Sequence, residues 1–523
     1  MPADIPPFPE GQDPDQTIAY RSPQPQPSND AHTRQWPHPE ELGYAPVPPT
    51  PAKRGRGWII ALVAALLVGV VGGGGVWAAS MLSGGGTQPH EVLPGNAIGY
   101  LRLDLDPAAN QKLALLNIAR KFSATKDVFA GDDPRKALFE EMRKGVSAFA
   151  ELDFAKDVEP WLGDRIGAAI LAPARVGSEP DAVVAIQVKD EAAAKTAFAK
   201  LDSGTEGTKA GVVFREGYVI IAENQEKADR YAGATPLSEN ERFTGDLDAL
   251  GEPGVLSFWA DLGAIAENTG KDQNPAVTDL VRNARFTGAL RFGDDYAELT
   301  GFTRGIETTK TDAKPLKLGE LPASTAGAIG ISGLGAILGE QWPKIQKAVE
   351  SADRGAVARL SQETGLALPG DLITLLGEGV TAAVDAEGLN AEQPNVGVVL
   401  HTDPAKARAV LNKLETAASG NGATPQLVKV DGDDKLVVAA SQDYANKLNS
   451  EGTLGDSEAF RLAVPGAQDA TFGLYADLDK VEPLYLKDVQ GDSAADLQML
   501  RAVGLSGRVS DEGAGFLLRV VFN

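Results

Sequence analysis

The rhythm of apolar and polar positions changes twice within the first hundred residues. Residues 1–56 hold 14 of the 33 prolines, in runs such as Pro23-Gln24-Pro25-Gln26-Pro27 and Pro46-Val47-Pro48-Pro49. A segment of this kind buries too little apolar surface to offset its ordering entropy, so it predicts a disordered tail. From Trp58 to Leu82 the pattern becomes continuously apolar, and no charged residue occurs between Arg56 and Glu91. Apolar runs beyond about 18 residues are candidates to span a bilayer. Beyond residue 93 the chain switches to short alternating or β-branched runs divided by helical stripes, which predicts an α+β fold.

In the first part of that region, strand-like runs fall near 98–103, 166–171, 182–188, 211–222, 254–260, 284–292 and 296–303. Helix starts are predicted at Asp106-Pro107, Asp133-Pro134, Asp190-Glu191 and Asp403-Pro404. An N-cap Asp accepts backbone N–H bonds, and Pro at the first helical position has no donor to lose. Leu138, Met142, Val146 and Phe149 form one core-facing stripe. Asp294-Asp295 and Asp431-Gly432 lie between strand-like runs, where hairpin turns are expected.

The pattern also recurs. Val184–Val188, then Asp190 and EAAAKTAFAKL, resembles Val398–Thr402, then Asp403 and PAKARAVLNKL. Ala194, Ala197, Phe198 and Leu201 fall on Ala407, Val410, Leu411 and Leu414, both sets with the spacing of a buried helix face. Leu93-Pro94 matches Leu321-Pro322, Phe258–Leu262 matches Leu474–Leu478, and Thr287-Gly288 matches Ser506-Gly507. Collinear anchors of this kind predict a duplicated unit. The expected organisation is a proline-rich tail (1–56), a transmembrane signal-anchor helix (57–82) and a linker (83–92). Two tandem similar α+β repeats with mixed or antiparallel sheets then follow (93–314 and 315–523).

Charge orients the apolar run. Lys53, Arg54 and Arg56 precede it, and no Lys or Arg follows until Arg102. The positive-inside bias places the tail in the cytoplasm and residues 83–523 outside. Trp58 and Trp77 are 19 residues apart, about 28 Å at helical rise, which matches the hydrocarbon thickness. Ala78-Ala79-Ser80 could mark cleavage of a signal peptide, but the tail and apolar run are both too long for one. Ala61, Ala65, Gly69 and Gly73 offer a small-residue face for self-association, although Gly is common in membrane helices. Pro6–Pro9 and Pro46–Pro49 fit extended proline-ligand patterns, with a solvated spacer as the simpler reading.

Candidate chemistry is sparse. The chain has no cysteine, which excludes disulfides, thiolate metal sites and cysteine nucleophiles. Its formal charge of −23 argues against nucleic-acid partners. Histidine occurs only at His32, His38, His90 and His401. A strand–Asp–helix unit recurs at Asp104, Asp261 and Asp477, while a fourth copy carries Ser332 instead. Such acids could act as general acid/base groups, but helix capping explains them more simply. If a carboxylate pair did line a cleft, the pairs to consider are Asp104 with Asp261, and Asp477 with Asp479. Val430–Lys435 only faintly suggests a calcium loop, and Ser123–Lys126 has S-x-x-K spacing without its companion motifs. No catalytic, cofactor-binding or metal residue is therefore assigned, and no cofactor is expected.

The proline-rich tail, basic cluster, Gly-rich span and Gly84-Gly85-Gly86-Thr87-Gln88-Pro89 precede LPGNAIGYLRLDLDPAANQKLALLNIARKF at 93–122. This arrangement resembles actinobacterial single-pass membrane-anchored proteins of domain-of-unknown-function family 3352. The resemblance implies a bacterial cell-envelope location and carries no functional residues. The expectation is a non-enzymatic binding or scaffold module acting on an envelope component or a protein partner. A signalling coupler that uses the tail, and a carboxylate-dependent hydrolase, are the alternatives.

Overall fold

The computed structural model describes residues 86–523, apart from 124–134, 137–138, 141–142, 144–151, 205–209, 269–280, 307–312, 390–393, 420–426, 488 and 511–512. The tail, the apolar run and its small-residue face lie outside the described residues, as do Asp133-Pro134 and the stripe at 138–149. Among the described residues, no helix is long and apolar enough to cross a membrane.

Eight strands form the first half: β1 (Ala97–Asp104), β2 (Leu162–Leu171), β3 (Asp181–Val188), β4 (Gly211–Arg215), β5 (Tyr218–Ala222), β6 (Leu256–Asp261), β7 (Arg285–Gly293) and β8 (Tyr296–Arg304). Eight more follow: β9 (Thr325–Ser332), β10 (Gly379–Asp385), β11 (Val396–His401), β12 (Val428–Asp431), β13 (Lys435–Ala439), β14 (Phe472–Asp477), β15 (Leu500–Ser510) and β16 (Gly513–Phe522). All belong to one sheet, in the order β12-β13-β11-β10-β9-β14-β15-β16-β8-β7-β6-β1-β2-β3-β5-β4. Read outward from the β8–β16 seam, the two halves have the same strand order. Every ladder among the described strands is antiparallel, the second of the two pairings expected. The halves were expected to carry a sheet each. Instead β8 and β16 pair edge to edge, which removes two open edges of unpaired backbone groups.

The seam register is informative. The β7–β8 turn closes on Gly293 and Tyr296, and the β15–β16 turn closes on Ser510 and Gly513, 217 residues later in each case. In the β8–β16 ladder, Arg304 faces Gly513, Tyr296 faces Val521 and Thr300 faces Leu517. Thr300 and Leu517 are themselves 217 residues apart, so each residue at the ladder's centre faces its own positional counterpart. The same register equates Gly288 with Leu505, two residues away from the sequence match to Gly507. That match reflects a shared glycine–phenylalanine pairing across neighbouring strands, Gly288 with Phe258 and Gly507 with Phe472.

Helices cover both faces. On one face, α1 (Ala109–Lys121) and α2 (Glu191–Gly204) lie over the first half. Ala194 and Ala197 of α2 are buried with Leu101, Leu103, Trp161 and Val184. Phe198 is half-buried against Trp161, and the side chain of Leu201 is outside the described set. On the opposite face, α3 (Gln225–Ala232) and α4 (Glu241–Leu250) close a core of Tyr100, Val183, Ile220, Phe243 and Trp259. Next comes α5 (Leu262–Asn268). The second half adds α6 (Leu334–Ala352), α7 (Ala356–Thr364), α8 (Gly370–Leu376), α9 (Pro404–Ser419), α10 (Gln442–Asn449), α11 (Glu458–Ala463), α12 (Leu478–Tyr485) and α13 (Asp492–Gln498).

Helix α2 begins beside Asp190, whose carboxylate accepts from Ala192 N and Ala193 N, and α9 begins beside Asp403, which accepts from Lys406 N. Helix α1 departs from expectation: it starts at Ala109 without a side-chain cap. The Asp106 amide instead donates to Asp104 Oδ1, which forms a turn before the helix. The predicted single strand 211–222 is a hairpin, split at Glu216-Gly217, where both residues have positive φ. Two positive-φ residues suit a two-residue hairpin turn.

Candidate functional site

Strand alternation predicts that residues sharing a parity share a face. Tyr100, Arg102 and Asp104 share one parity of β1, and all three are buried, two of them charged. Opposite Asp104 stands Arg165 on β2, also buried. Asp104 Oδ2 pairs with Arg102 Nη2 and lies 3.7 Å from Arg165 Nε. Arg102 also donates from Nη1 to Gly254 O at 3.3 Å and from Nε to Gln88 Oε1 at 3.1 Å. Lys112 pairs with Asp106 alongside. Burial pushes the Asp104 carboxyl upward, opposed by the Arg102 and Arg165 charges, and burial pulls the Lys112 ammonium down.

The cluster has a visible structural task. Residues 86–93 run across this face of the first half as a strap. The Tyr218 hydroxyl donates to Thr87 O at 2.7 Å, and Arg102 holds Gln88. Gln88 N donates to Glu91 Oε1 at 2.7 Å, closing the turn Pro89–Glu91. Pro89 sits directly on Gly167, where any added Cβ would collide with the proline ring. His90 packs against Phe243 and lies 3.5 Å from the Tyr100 hydroxyl. Burial and the Arg102 charge pull the His90 pKa down, with Glu91 opposing. Val92 and Leu93 are fully enclosed, and Leu93 O accepts from Leu237 N.

Two further buried ion clusters occupy the same face. Asp246 accepts from Arg285 Nε at 2.6 Å, Arg285 Nη2 at 3.1 Å and Trp259 Nε1 at 3.0 Å, with Arg304 at 3.3 Å. Burial raises the Asp246 carboxyl, but the hydrogen bonds from Arg285 and Trp259 outweigh it and hold the pKa below the ordinary range. At the seam, Glu298 accepts from Arg519 Nε at 2.9 Å and faces Arg291, while Arg519 stacks on Tyr296.

The second half replaces these groups. By register, Arg102, Asp104 and Arg165 correspond to Gly330, Ser332 and Gly379. Leu316 lies over Gly330, with its methyl carbons 3.1–3.2 Å from an added Cβ, in the place that Gln88 takes over Arg102. Asp246, Arg285 and Arg304 correspond to Ala463, Ala502 and Val521, and Glu298 to Gly515. An open cavity of about 200 Å³ lies beside Gly515, at the Arg304–Gly513 end of the seam, lined by Phe302, Arg304, Ser510, Gly513 and Gly515. A larger open cavity of about 510 Å³ lies at the β1 N-terminal edge, among Asn96, Arg230, Tyr231, Thr235, Glu239 and Asn240.

The structure separates the carboxylates that the sequence suggested as a pair. Strands β1 and β6 are antiparallel, with Leu103 facing Leu256 and Gly99 facing Ala260. Asp104 and Asp261 therefore lie at opposite ends of the ladder, about 20 Å apart at the usual strand rise. Asp261 caps α5 by accepting from Ala264 N and pairs with Arg242. Asp477 caps α12 through Lys480 N and accepts from the Tyr475 hydroxyl, whereas Asp479 accepts from Asn523 Nδ2. Ser123 donates to Asp496, and Lys126 lies outside the described residues. Asp431 accepts from Arg408 at the β12–β13 turn. His401 ends β11 half-buried, its pKa lowered mainly by burial. Among the described residues, no group of three or more His, Asp or Glu is placed to hold a metal ion.

Fold and site together define an antiparallel α+β protein built on paired eight-strand units, with the chain strapped over the first. The model for the family "Protein of unknown function (DUF3352)" matches residues 60–460, and the chain belongs to that family. No curated relative matches the chain. Among solved structures, crystal form III of TP0453 is similar at 10% identity and a TM-score of 0.22, covering 43% of this chain and 83% of that one. Crystal form I of TP0453 gives 10% identity and a TM-score of 0.16, covering 71% and 98%.

Proposed function

We propose that this chain is a single-pass membrane protein of the cell envelope whose folded part lies outside and acts by binding rather than by catalysis. The observation that carries this reading is how the acids are spent. Asp261 and Asp477 hold helix starts, Asp104 is closed in by two arginines beneath the strap, and Asp246 is held by Arg285, Arg304 and Trp259. Groups committed in this way stabilise a scaffold and do not face a shared cleft. The apolar run 58–82 after a basic cluster supports the anchor and its orientation. The repeated strand order and the centred seam support descent of the two halves from one duplicated unit.

Crosslinking in intact cells, followed by identification of what residues 86–523 capture, tests the binding role. A specific envelope component or protein partner is expected. Multiple-turnover cleavage of a peptidoglycan or polysaccharide fragment, abolished by Asp261→Asn or Asp477→Asn with the fold intact, would replace this reading with a hydrolase.

A further inference from the structure

The segment 93–122 has no evident catalytic logic, and the strap accounts only for its beginning. The rest is β1 and α1, and the contacts of α1 trace one edge of the sheet. At the helix start, Lys112 pairs with Asp106, two residues beyond the end of β1. The adjacent Gln111 donates to Glu252, just before β6. At the helix end, Lys121 donates to Asn523 O at 2.5 Å and lies 3.9 Å from Asp295 in the β7–β8 turn. Phe122 packs on Phe522 at the end of β16. The ends of β1 and β16, the β7–β8 turn and the approach to β6 all belong to the same edge by register.

The strap begins at that edge too. Gly86 lies beside Arg165, which faces Asp104 at the end of β1, and Thr87 and Gln88 are bonded in place. Only residues 83–85 separate Gly86 from Leu82, the last residue of the apolar run. Four residue steps reach at most about 14 Å. If the run spans a bilayer, Gly86, at the β1 end of the edge that carries α1, sits within that distance of the lipid surface.

The exposed side of α1 suits such a neighbour. Asn110, Leu113, Asn117 and Arg120 are exposed at helical spacing, and Leu113 is 60% exposed. The helix contains no acidic residue in a chain of net charge −23. An apolar side chain between amides, ending in a cation, matches the headgroup–acyl boundary of a phospholipid bilayer. A tether of a few residues keeps the local lipid concentration high, so a weak contact suffices.

We propose that the exposed stripe Asn110–Leu113–Asn117–Arg120 of α1 rests on the phospholipid surface next to the chain's own span. This inference depends on the anchored reading, and one experiment separates the two. The chain has no cysteine, so single cysteines can be introduced at chosen points. Val68→Cys (within the span), Leu113→Cys and Val176→Cys each receive an environment-sensitive fluorophore on the full chain. The labelled proteins are reconstituted in phosphatidylglycerol–phosphatidylethanolamine vesicles with brominated acyl chains as quenchers. Val176 is 64% exposed in the β2–β3 connection, at the opposite edge, and serves as the control. Quenching of the Val68 and Leu113 probes, with Val176 unquenched, is the expected result. Quenching at Val68 alone overturns the docking and leaves the anchor standing. No quenching at Val68 overturns both. Equal quenching at Leu113 and Val176 overturns the assignment of this edge.

Discussion

The two halves of the sheet share a strand order but solve one packing problem in opposite ways. Each half must hold the chain segment that precedes its first strand. The first half does so with buried charge, as Arg102 reaches Gln88 while Asp104 and Arg165 balance it. The second half does so with Leu316 seated over Gly330. The same contrast recurs under the neighbouring helices, where Asp246, Arg285 and Arg304 stand against Ala463, Ala502 and Val521. Buried ion pairs are often no more stabilising than apolar replacements, so net stability is a weak reason for this difference. A directional, hydrogen-bonded clamp on the strap is a better one. The strap emerges from residues 83–85, next to the apolar run, whereas the segment before β9 emerges from the first half.

Of the first half's charged groups, Asp246 is the most sensitive to replacement. Asp246→Ala leaves the half-buried Arg285 and the Trp259 indole N–H without their shared acceptor and should cost about 2–3 kcal/mol in urea unfolding. The triple change Asp246→Ala, Arg285→Ala, Arg304→Val writes in the residues of the second half and should recover most of that loss. A triple variant as unstable as the single one would show that the charges are not exchangeable with an apolar set. Gly167→Ala comes next, because the new methyl must displace Pro89. A cost of about 1–3 kcal/mol is expected, as for other overpacked sites, together with faster amide exchange in the strap. The close counterpart Thr381→Val, which adds no bulk to the second half, should leave exchange at residues 316–321 unchanged.

Acid should loosen the strap first. His90 is held neutral by burial, with its pKa below 6.5. Once released it titrates near 6.5, so the released state binds more protons as pH falls through that value, and the strap loses stability. A pH series of amide exchange at residues 91–95 should therefore show lost protection below about pH 6.5. His90→Phe should flatten the series. The smallest effect is expected at Gly515, the counterpart of Glu298. An added Cβ there has no neighbour closer than 3.9 Å, and Arg508 is its ladder partner. Gly515→Glu should be tolerated and should change stability by no more than about 1 kcal/mol. A large loss would mean that the two sides of the seam are not comparable.

The strands were legible because alternation and β-branched runs report burial directly, as at 181–188 and 296–304. The hairpin inside 211–222 was missed because both flanking strands are apolar and only Glu216-Gly217 marks the turn. Capping roles were legible at Asp190, Asp261 and Asp403, since Asp before a helical stripe has a local explanation. The buried arginines were not singled out, because their partners lie far away in sequence. Arg102 bonds Gly254, Arg285 bonds Asp246, and Arg519 bonds Glu298. One signal was available: Arg102 and Asp104 occupy the core parity of an otherwise apolar strand. A single shared sheet could not be foreseen either, because each half taken alone already reads as a complete α+β unit.

Arg102 and its partners clamp the chain where it joins the first half. Amide hydrogen exchange of the full chain and of Arg102→Met measures this directly. Methionine keeps the unbranched stem of the side chain but removes the bonds to Gln88, Gly254 and Asp104. The amides of Glu91, Val92, Leu93 and Gly95 bond to Gln88, Pro89 and Thr235 carbonyls in the intact strap. The prediction is faster exchange at those four amides, with β9–β16 unchanged. Unaltered exchange in the strap, or equal loss across both halves of the sheet, would contradict it.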